Sequence, residues 1–594
     1  QKFLEKQQAE LFGVVREQEA EKERRKKDEA AASGRPLDPY YLAEGETVSH
    51  LDLTPDGRLV TFLLAEKSRQ AADVMYQRLV TQSGFTEPAS TRAKVGDPPP
   101  SVKMGILNIA DGKVKWAESE KYKRGVIFAG PWWSPDGKHA VVKVLSTDFK
   151  DLWLEALDCE TGRTRTLFQD HDDAWIPIFP SPPVGWLADS HAIYTTSERD
   201  GYRHLYTVDL EGNIRQLTHG RFDLAAAAEL GEGAPQPELS RDGRRWYFHA
   251  NIEDSAERNL YTMPVEGGTP VRLTPRGGWN RAFLSPDEKK IALLRTTPNS
   301  VQEVYLADNP AAGDDAKAAG LRRISHSTTP EFEAVDWAAP EFVEFPDSEG
   351  TMIAARLYRP RRPHPLHPAL LHIHGSGYAQ IVRRKLDTDY LHTYIQYLLT
   401  RGYTILEIDY RGSAGYGRDF RTAIYRHMGG EDLASVLAAA GYLAREQGID
   451  PRRIGIFGRS YGGFMTLMAM FTRPGVFAAG AAMAPVTDWA HYNHGYTGTI
   501  LNMPQQDEES FRRSSPIYFA QNLRDPLLVL HGMVDNNVLY QDSVRLSQRL
   551  LELKKTGWQL VSYPVESHVW AEESTKLDCL RRLGEFFDNT LKKQ

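Results

Sequence analysis

The stretch IFGRSYGGF, Ile456 to Phe464, places a single serine, Ser460, between two glycines. The apolar run RIGIF precedes it and the helix-like run FMTLMAMF follows it. Strand, then G-x-S-x-G, then helix is the context in which such a serine is a nucleophile held on a sharp turn. Gly458 and Gly462 would let the strand and the helix approach closely. A glycine-rich loop without chemistry is the alternative, and the flanking elements favour the nucleophile.

Around this turn, the C-terminal part of the chain alternates strand-like and helix-like segments. Apolar runs such as YTILEIDYRG and PLLVLHG are separated by helical stretches such as EDLASVLAAAGYLAREQG. This alternation predicts a parallel sheet with helices on both faces, and functional residues at the carboxyl ends of its strands. We therefore predict a doubly wound α/β-hydrolase domain over residues 340–594.

A serine nucleophile needs a base that takes its proton and an acid that orients the base. In a hydrolase of this kind the chain order is serine, acid, histidine. Asp535 follows the strand PLLVLHG on a loop, and His568 follows the last predicted strand and precedes the C-terminal helix. The sequence therefore predicts a triad of Ser460, Asp535 and His568.

Three other residues compete for these roles and fit them less well. His531 ends a strand, where a role in stabilising the following turn is the simpler interpretation. Asp525 precedes its strand and so lies at the wrong end of it, and Glu566 is too close in sequence to His568.

The negative charge that forms on the substrate oxygen during acyl transfer requires hydrogen-bond donors. One predicted donor is the backbone N–H of Tyr461, the residue after the nucleophile. The second is expected from the loop after the strand LLHI, centred on His374 and Gly375. His372 and His374 alternate on that strand without a third ligand, so a metal site is not favoured. We predict neither a metal nor an organic cofactor.

Short strands and a recurring turn characterise the N-terminal part of the chain. The turn is LTPDG ending at Gly57, WSPDG at Gly137, LSRDG at Gly243, LSPDE at Glu288, and more weakly GWLADSH ending at His191. A unit of about 40–50 residues with several short strands is typical of a β-propeller blade. We predict a propeller over residues 45–339 with about six blades, the interval from Asp56 to Asp136 being long enough for two. An incomplete first blade stays open, and a pair of β-sandwiches is the less favoured alternative.

Composition restricts the classes of partner. The formal net charge of −7 provides no basic surface for nucleic acid. Two cysteines exclude a disulfide framework, and the longest gently apolar run, GVFAAGAAMAPV, is shorter than the ~18 residues of a membrane span. We expect a soluble protein, and the sequence leaves open whether it forms a homo-oligomer.

Residues 1–44 predict a charged helical segment that leads into the propeller. The chain does not begin with Met, and we expect it to be a fragment or a processed form, with further blades upstream in that case. The compartment, whether periplasmic, secreted or cytoplasmic, is not readable.

Taken together, the chain resembles the prolyl oligopeptidase family of serine peptidases, and within it the dipeptidyl peptidase IV branch. The resemblance is carried by the propeller-like repeats and by the segments DYRGSAGYGRDF, GRSYGGFMT, APVTDWAHYNHGY, HGMVDNNV and ESH. It implies that a propeller caps the hydrolase and that short peptides are the substrates.

The resemblance also implies a pocket for the side chain of the residue before the cleaved bond, proline or alanine. The positions that match its walls are Tyr461, Val486, Trp489, Tyr492, Tyr496 and Val538. A flat pyrrolidine packs well on aromatic faces. Asn537 matches the family's side-chain donor to a substrate carbonyl. The alternative is that the aromatic residues simply belong to a buried helix.

One feature of the branch is missing. Dipeptidyl peptidases carry two adjacent glutamates before a WWSP-like segment, where they hold the substrate's free amino group. The corresponding stretch, YKRGVIFAGPWWSPDG, has Lys123 and Arg124, while Glu118 and Glu120 are not adjacent. A dipeptidyl-peptidase-like serine peptidase is the first prediction. An acylaminoacyl-peptidase or broader oligopeptidase, an esterase, and a propeller interaction protein with an inert hydrolase domain are the alternatives.

Overall fold

The computed structural model describes Arg24 and residues 42–43, 45–67, 71–177, 181–225, 237–310, 319–388 and 390–593. The charged helical segment predicted for residues 1–44 lies almost wholly outside these ranges. The described chain forms a set of small antiparallel sheets followed by one mixed sheet of eight strands. No helix in these ranges is long and apolar enough to cross a bilayer.

The strands of the N-terminal part form propeller blades of four antiparallel strands each, and a single parallel pairing of Val102 with Ile127 joins blades 1 and 2 into one eight-stranded sheet. Blade 1 comprises Glu46–Leu53, Leu59–Glu66, Ser101–Asn108 and Val114–Trp116. Blade 2 comprises Val126–Trp133, Ala140–Ser146, Asp151–Leu157 and Thr164–His171. Blade 3 comprises Val184–Trp186, Ala192–Ser197, His204–Asp209 and Ile214–Gln216. Blade 4 comprises Glu238–Leu239, Arg245–Ala250, Asn259–Pro264 and Val271–Arg272. Blade 5 comprises Trp279–Leu284, Lys290–Thr297, Ser300–Asp308 and Ala319–Arg323.

The recurring turn joins the first two strands of a blade. In blade 2 the Ser134 hydroxyl donates to Asp136 Oδ1 at 2.6 Å, and the same oxygen accepts from the Lys138 N–H at 3.1 Å. Gly137 follows with a φ of 72°, a region that glycine enters without steric cost. Blade 5 keeps the turn with Glu288 at a φ of 56° instead. The repeat seen in the sequence is therefore a hydrogen-bonded turn.

The predicted number of six blades is wrong for the described residues, which form five. The interval from Asp56 to Asp136 completes blade 1 and adds an insertion between its second and third strands. We call residues 71–100 of this insertion the arm; it contains a hairpin of Met75–Arg78 and Glu87–Ser90. The long interval therefore reflects an insertion and not a second blade.

The C-terminal sheet has the predicted doubly wound α/β-hydrolase form. In spatial order its strands are Glu341–Pro346, Met352–Tyr358, Thr404–Ile408, Ala369–Ile373, Ile454–Arg459, Ala479–Met483, Leu527–Gly532 and Trp558–Tyr563. The first two are antiparallel additions and the other six run parallel. Ile456 and Phe457 are both fully buried, one in the core on each face. A parallel sheet requires such two-sided burial.

Helices cover both faces of this sheet. The α-helices are Pro330–Glu333, Tyr390–Thr400, Arg418–Thr422, Glu431–Arg445, Tyr461–Thr472, Thr499–Leu501, Glu508–Ser514, Tyr540–Glu552 and Glu573–Leu591. Shorter turns of 3₁₀ helix are Glu120–Tyr122, Pro451–Arg453, Trp489–His491 and Pro516–Asn522, and His494–Gly498 is a π-helix. The helix Tyr461–Thr472 is almost entirely buried and fixes the position of the residue before it, Ser460.

Candidate active site

Ser460 lies on the turn between the strand Ile454–Arg459 and the helix Tyr461–Thr472, with φ 59° and ψ −119°. A non-glycine residue in this region is strained and is held there by its surroundings. A Cβ atom on Gly462 would lie 2.0 Å from the Ile373 carbonyl oxygen, and one on Gly458 would lie 2.5 Å from the same atom. Both glycines are therefore required by the close approach of strand and helix, as the sequence predicted.

Ser460, His568 and Asp535 form one hydrogen-bonded chain. The Ser460 hydroxyl donates to His568 Nε2 at 3.0 Å, and His568 Nδ1 donates to Asp535 Oδ2 at 2.7 Å. The three residues come from three different strand ends of the sheet. This arrangement lets His568 take the serine proton while Asp535 fixes its tautomer.

Asp535 is held by a dense set of donors in a nearly water-free position, since only 1% of its surface is exposed. Its Oδ1 accepts from the N–H groups of Asn537 and Val538, both at 2.9 Å. Burial works to raise the pKa of this carboxyl, but hydrogen bonds from His531 and His568 outweigh it and lower the pKa to about 2. Asp535 is therefore ionised whenever His568 has to act as a base.

His531 contributes more than the predicted turn stabilisation. Its Nε2 lies 3.2 Å from Asp535 Oδ2 and 2.9 Å from the Val538 carbonyl, and its Nδ1 accepts from the Ser543 hydroxyl at 2.7 Å. The ring therefore helps to position the acid, at the same carboxylate oxygen that His568 contacts. Its place at the end of a strand four residues before Asp535 was the available signal for this role.

Donors for an oxyanion come together beside Ser460. The N–H of Tyr461 is the first of its helix and is left unpaired by the helix itself. A Cβ atom on Gly375 would lie 3.2 Å from the Ser460 Cβ, so the loop after the strand Ala369–Ile373 passes directly over the nucleophile. The predicted sources, Tyr461 and the Gly375 loop, are thus adjacent to the reacting oxygen.

The side chain of His374 is not available for this purpose. Its Nδ1 donates to the Gly375 carbonyl at 2.7 Å, and its Nε2 accepts from the Ser413 hydroxyl at 3.0 Å. Burial lowers its pKa to about 3, so the ring is neutral. Its face stacks on Tyr410 at 4.2 Å. His374 therefore supports the loop from below, and only backbone groups of this segment can reach an oxyanion.

A cavity of about 580 Å³ opens beside the serine. Ser460, His568 and the predicted residues Val486, Trp489, Tyr492, Tyr496 and Asn537 line it. The Trp489 ring lies 5.6 Å from that of Tyr492 and 5.8 Å from those of Tyr461 and Tyr496. Such an aromatic box offers flat apolar faces to a small rigid side chain.

Val538 and Asn537, both predicted to contact the substrate, differ in their position relative to the cavity. Val538 is buried and is not among the residues that line the cavity, while its N–H and its carbonyl bind Asp535 and His531 and so support the acid. Asn537 lies at the cavity, where its Oδ1 accepts from the Tyr492 hydroxyl at 2.6 Å. This bond leaves the Asn537 amide nitrogen as the donor for a ligand.

The arm of blade 1 lies against Tyr492 and Asn537, two residues that line the cavity. The Thr91 hydroxyl donates to the Asn536 carbonyl at 3.0 Å, and the Val95 N–H donates to the Tyr492 carbonyl at 2.8 Å. Arg92 lies between them, with its guanidinium 4.6 Å from the Tyr492 ring centre and a hydrogen bond to the Asn537 carbonyl. Sequence reasoning missed Arg92, because the arm carries no repeat or motif that links it to the hydrolase.

The stretch that lacks the adjacent glutamates leads into the first strand of blade 2, Val126–Trp133. Arg124 binds Asp148 and Asp151 on blade 2, at 2.9 and 2.6 Å. The acidic side chains that line the cavity in the described residues are Asp387 and Glu407, which bind Arg356 at 2.9 and 2.7 Å. Neither carboxylate is thus free to pair with a substrate's amino group.

Both halves of the chain match models of known protein families. The model of the prolyl oligopeptidase family matches residues 390–594, and the model of the dipeptidyl peptidase IV N-terminal region matches residues 53–306. Dipeptidyl peptidase 8 of Mus musculus is 26% identical over 528 residues, which cover 78% of this chain and 57% of the mouse protein. The human protein of the same name is 27% identical over 439 residues, which cover 68% of this chain and 48% of the relative. The chain thus spans about half the length of these relatives.

The fold has a close counterpart among solved structures. Dipeptidyl peptidase 4 of Porphyromonas gingivalis superposes with a TM-score of 0.80 at 21% identity, over 91% of this chain and 74% of that one. The likeness shows the same combination of propeller and α/β-hydrolase. With both family models matched and the strand, turn and helix around Ser460 in their expected places, residues 390–594 belong to the prolyl oligopeptidase family and residues 53–306 match the dipeptidyl peptidase IV N-terminal region.

Proposed function

We propose that this protein is a serine peptidase of dipeptidyl-peptidase type that cleaves short peptides after proline or alanine near the amino terminus. The observation that carries the proposal is the hydrogen-bonded chain from Ser460 through His568 to Asp535 beside an aromatic cavity. The names of its relatives support the same class of reaction.

In the first half of the reaction, Ser460 Oγ attacks the carbonyl carbon before the cleaved bond while His568 Nε2 takes its proton. Asp535 holds His568 Nδ1–H and stabilises the imidazolium that forms. The carbonyl oxygen becomes an oxyanion next to the Tyr461 N–H and the Gly375 loop. As the C–N bond breaks, His568 gives its proton to the leaving amine, and the acyl group stays on Ser460.

The second half releases the acyl group. Water gives a proton to His568 and attacks the ester carbonyl, and the same donors stabilise the second oxyanion. The C–O bond to Ser460 breaks, and His568 returns the proton to the serine oxygen. The peptide fragment leaves as a carboxylic acid. No step needs a metal or an electron acceptor, because only bonds to carbon, oxygen, nitrogen and hydrogen are exchanged.

The aromatic cavity supports a proline or alanine side chain at the cleaved residue. A pyrrolidine ring is flat and rigid, so it loses little conformational freedom between Trp489, Tyr492 and Tyr496. The Asn537 amide nitrogen and the Arg92 guanidinium lie beside this box and can hold the backbone of the preceding residue. The propeller above would exclude folded proteins.

A second candidate is an acylaminoacyl-peptidase or broader oligopeptidase of the same family. The specific observation in its favour is that both acidic side chains lining the cavity in the described residues are bound to Arg356. Without a free carboxylate, selection of a charged amino terminus has no visible partner in these residues. The two candidates share the chemistry at Ser460 and differ in the end of the peptide that is recognised.

A panel of substrates separates the candidates. Gly-Pro and Ala-Ala p-nitroanilides with free amino groups, blocked Ala-Pro and N-acetyl-Ala p-nitroanilides, and a p-nitrophenyl ester are compared by kcat/KM. We expect free Gly-Pro to be hydrolysed fastest. Turnover confined to blocked substrates would favour the second candidate, and turnover confined to the ester would indicate an esterase. No turnover of any of them would indicate a binding protein.

Arg92 provides a further prediction for the best substrate of the panel. Arg92→Met should lower kcat/KM by about 10- to 100-fold, since a charged hydrogen bond to a substrate carbonyl contributes about 1.5–3 kcal/mol. The loss should fall mainly on KM, because the arm does not touch the relay at Ser460. Lys94→Met, another lost cation on the same arm, is the matched control. Equal losses in both variants would contradict a specific role of Arg92.

A further inference from the structure

A second cavity, of about 410 Å³, lies between the propeller and the hydrolase. We call it the interdomain cavity. Blades and their connections contribute Trp175, Arg203 and Trp279 to its wall, and the hydrolase contributes Tyr378, Arg383 and Arg421. Cavities at domain interfaces with apolar walls and a few convergent polar groups are common ligand sites.

Arg421 is a buried arginine in the wall of this cavity. Its side chain is only 8% exposed and lies 5.0 Å over the Trp175 ring. Nε and Nη2 bind one carboxylate oxygen of Glu198 at 3.1 and 2.7 Å, and Nη2 also reaches the Trp175 carbonyl at 3.1 Å. Nη1 is buried without a hydrogen-bond acceptor among the described residues. A buried charged donor without a partner is energetically costly, so a ligand acceptor that reached this atom would be stabilised.

Arg383 also lines the cavity, in a similar arrangement. Its Nη2 donates to Asp387 at 2.9 Å, its guanidinium lies 5.4 Å from the Trp279 ring centre, and its Nε is buried without an acceptor in the described chain. The partner carboxylates of the arginines, Glu198 and Asp387, do not line the cavity. In the described residues its wall therefore carries arginine donors and no acidic group.

The interdomain cavity adjoins the active-site cavity. The rings of Tyr378 and Tyr496, 5.9 Å apart, line both spaces. The loop that bears Tyr378 starts at Gly375, which lies against Ser460, and continues into the interdomain cavity through Gly377 and Ala379. The two cavities therefore lie side by side, and a peptide bound at Ser460 would have to pass these two rings to enter the second one.

We propose that the interdomain cavity is a subsite for a carboxylate of the peptide ligand. A guanidinium presents parallel N–H donors that match a planar carboxylate. The Trp175 and Trp279 rings cover the Arg421 and Arg383 guanidinium groups. The carboxylate comes either from the peptide's C-terminus or from an acidic side chain. The inference rests on the proposed peptidase function and adds a preference for acidic or short free-acid peptides.

Binding is measured by titration calorimetry with the full chain carrying Ser460→Ala, so that the peptides stay intact. Three peptides share the two N-terminal residues preferred in the substrate panel: one ends in Ala-Ala with a free carboxylate, one in Ala-Ala-amide, and one in Asp-Ala-amide. We expect at least one carboxylate peptide to bind about tenfold or more tightly than the Ala-Ala-amide, as for a charge-assisted pair. Which of the two binds identifies the source of the carboxylate.

Two variants connect this preference to the cavity. Arg421→Lys keeps a cation for Glu198 but loses the Nη1 donor, and Arg383→Gln changes the second arginine of the wall if the first variant fails to fold. Each should reduce the carboxylate preference severalfold while leaving hydrolysis of the best p-nitroanilide of the panel, which carries no carboxylate, within about twofold of the parent. Arg418→Gln, a more exposed cation on the same helix, is the control and should change neither quantity.

The outcomes separate this inference from the proposed function. Hydrolysis of the p-nitroanilide without any carboxylate preference overturns the subsite and leaves the peptidase intact. A preference that survives both Arg421→Lys and Arg383→Gln also overturns it, because the carboxylate would then be read elsewhere. Loss of p-nitroanilide hydrolysis in the unmodified protein instead contradicts the peptidase.

Discussion

Ser460→Ala is expected to lower turnover of the best peptide substrate by about six orders of magnitude, since removal of a serine nucleophile leaves only binding and oxyanion stabilisation. The alanine keeps the strained turn, because it also carries a Cβ, so the loss reports the missing hydroxyl. The measurement is kcat from steady-state kinetics, with covalent labelling by a fluorophosphonate as an independent count of reactive serines.

The matched control is Ser547→Ala, on the helix Tyr540–Glu552, where the hydroxyl bonds only within its own helix. This variant should keep parental turnover and labelling. If Ser460→Ala retained either activity or labelling near the parental value, another residue would be the nucleophile and the proposed mechanism would be wrong.

Asp535→Asn should lower kcat by about 10⁴-fold while KM changes little. The asparagine can keep the bonds from the Asn537 and Val538 N–H groups through its oxygen, so the loop should survive. Its amide group, however, can donate to His568 Nδ1 and hold the imidazole with its proton on Nε2. In that tautomer His568 cannot accept the proton of Ser460.

The comparison variant is Asp525→Asn, which removes the rival carboxyl. Asp525 accepts from the Gly475 N–H at 2.9 Å. It precedes its strand, so it lies at the end of the sheet away from Ser460. Its loss should leave kcat near the parental value. Near-parental activity of Asp535→Asn, or an equally large loss in Asp525→Asn, would show that the acid has been assigned to the wrong residue.

The hydrolase half was predictable because its signals are local. The strand, glycine turn and helix around Ser460 lie close together in the sequence. Their apolar runs predict buried elements, and their glycines predict a close approach of the backbone. The order of serine, acid and histidine then limited the choice to Asp535 and His568. The structure brings these three residues together at the distances that a proton relay requires.

The errors come from contacts that are distant in sequence or that depend on side-chain direction. Val538 lies beside the site, as its position suggested, but it is buried next to Asp535 and is not among the residues that line the cavity. Periodicity alone could not separate a long insertion from an additional blade. The arm reaches a partner 445 positions away, and no pattern in one sequence records such a contact.

The arm also has an evolutionary consequence. Two of its contacts to the hydrolase, from the Val95 N–H and from Thr91 to the Asn536 carbonyl, end on main-chain atoms. Contacts to main-chain oxygens do not depend on which side chains the hydrolase carries at those positions, and surface insertions tolerate change in length and sequence. If Arg92 holds the substrate as proposed, a change in the arm sequence would therefore alter substrate preference while Ser460, His568 and Asp535 keep their arrangement.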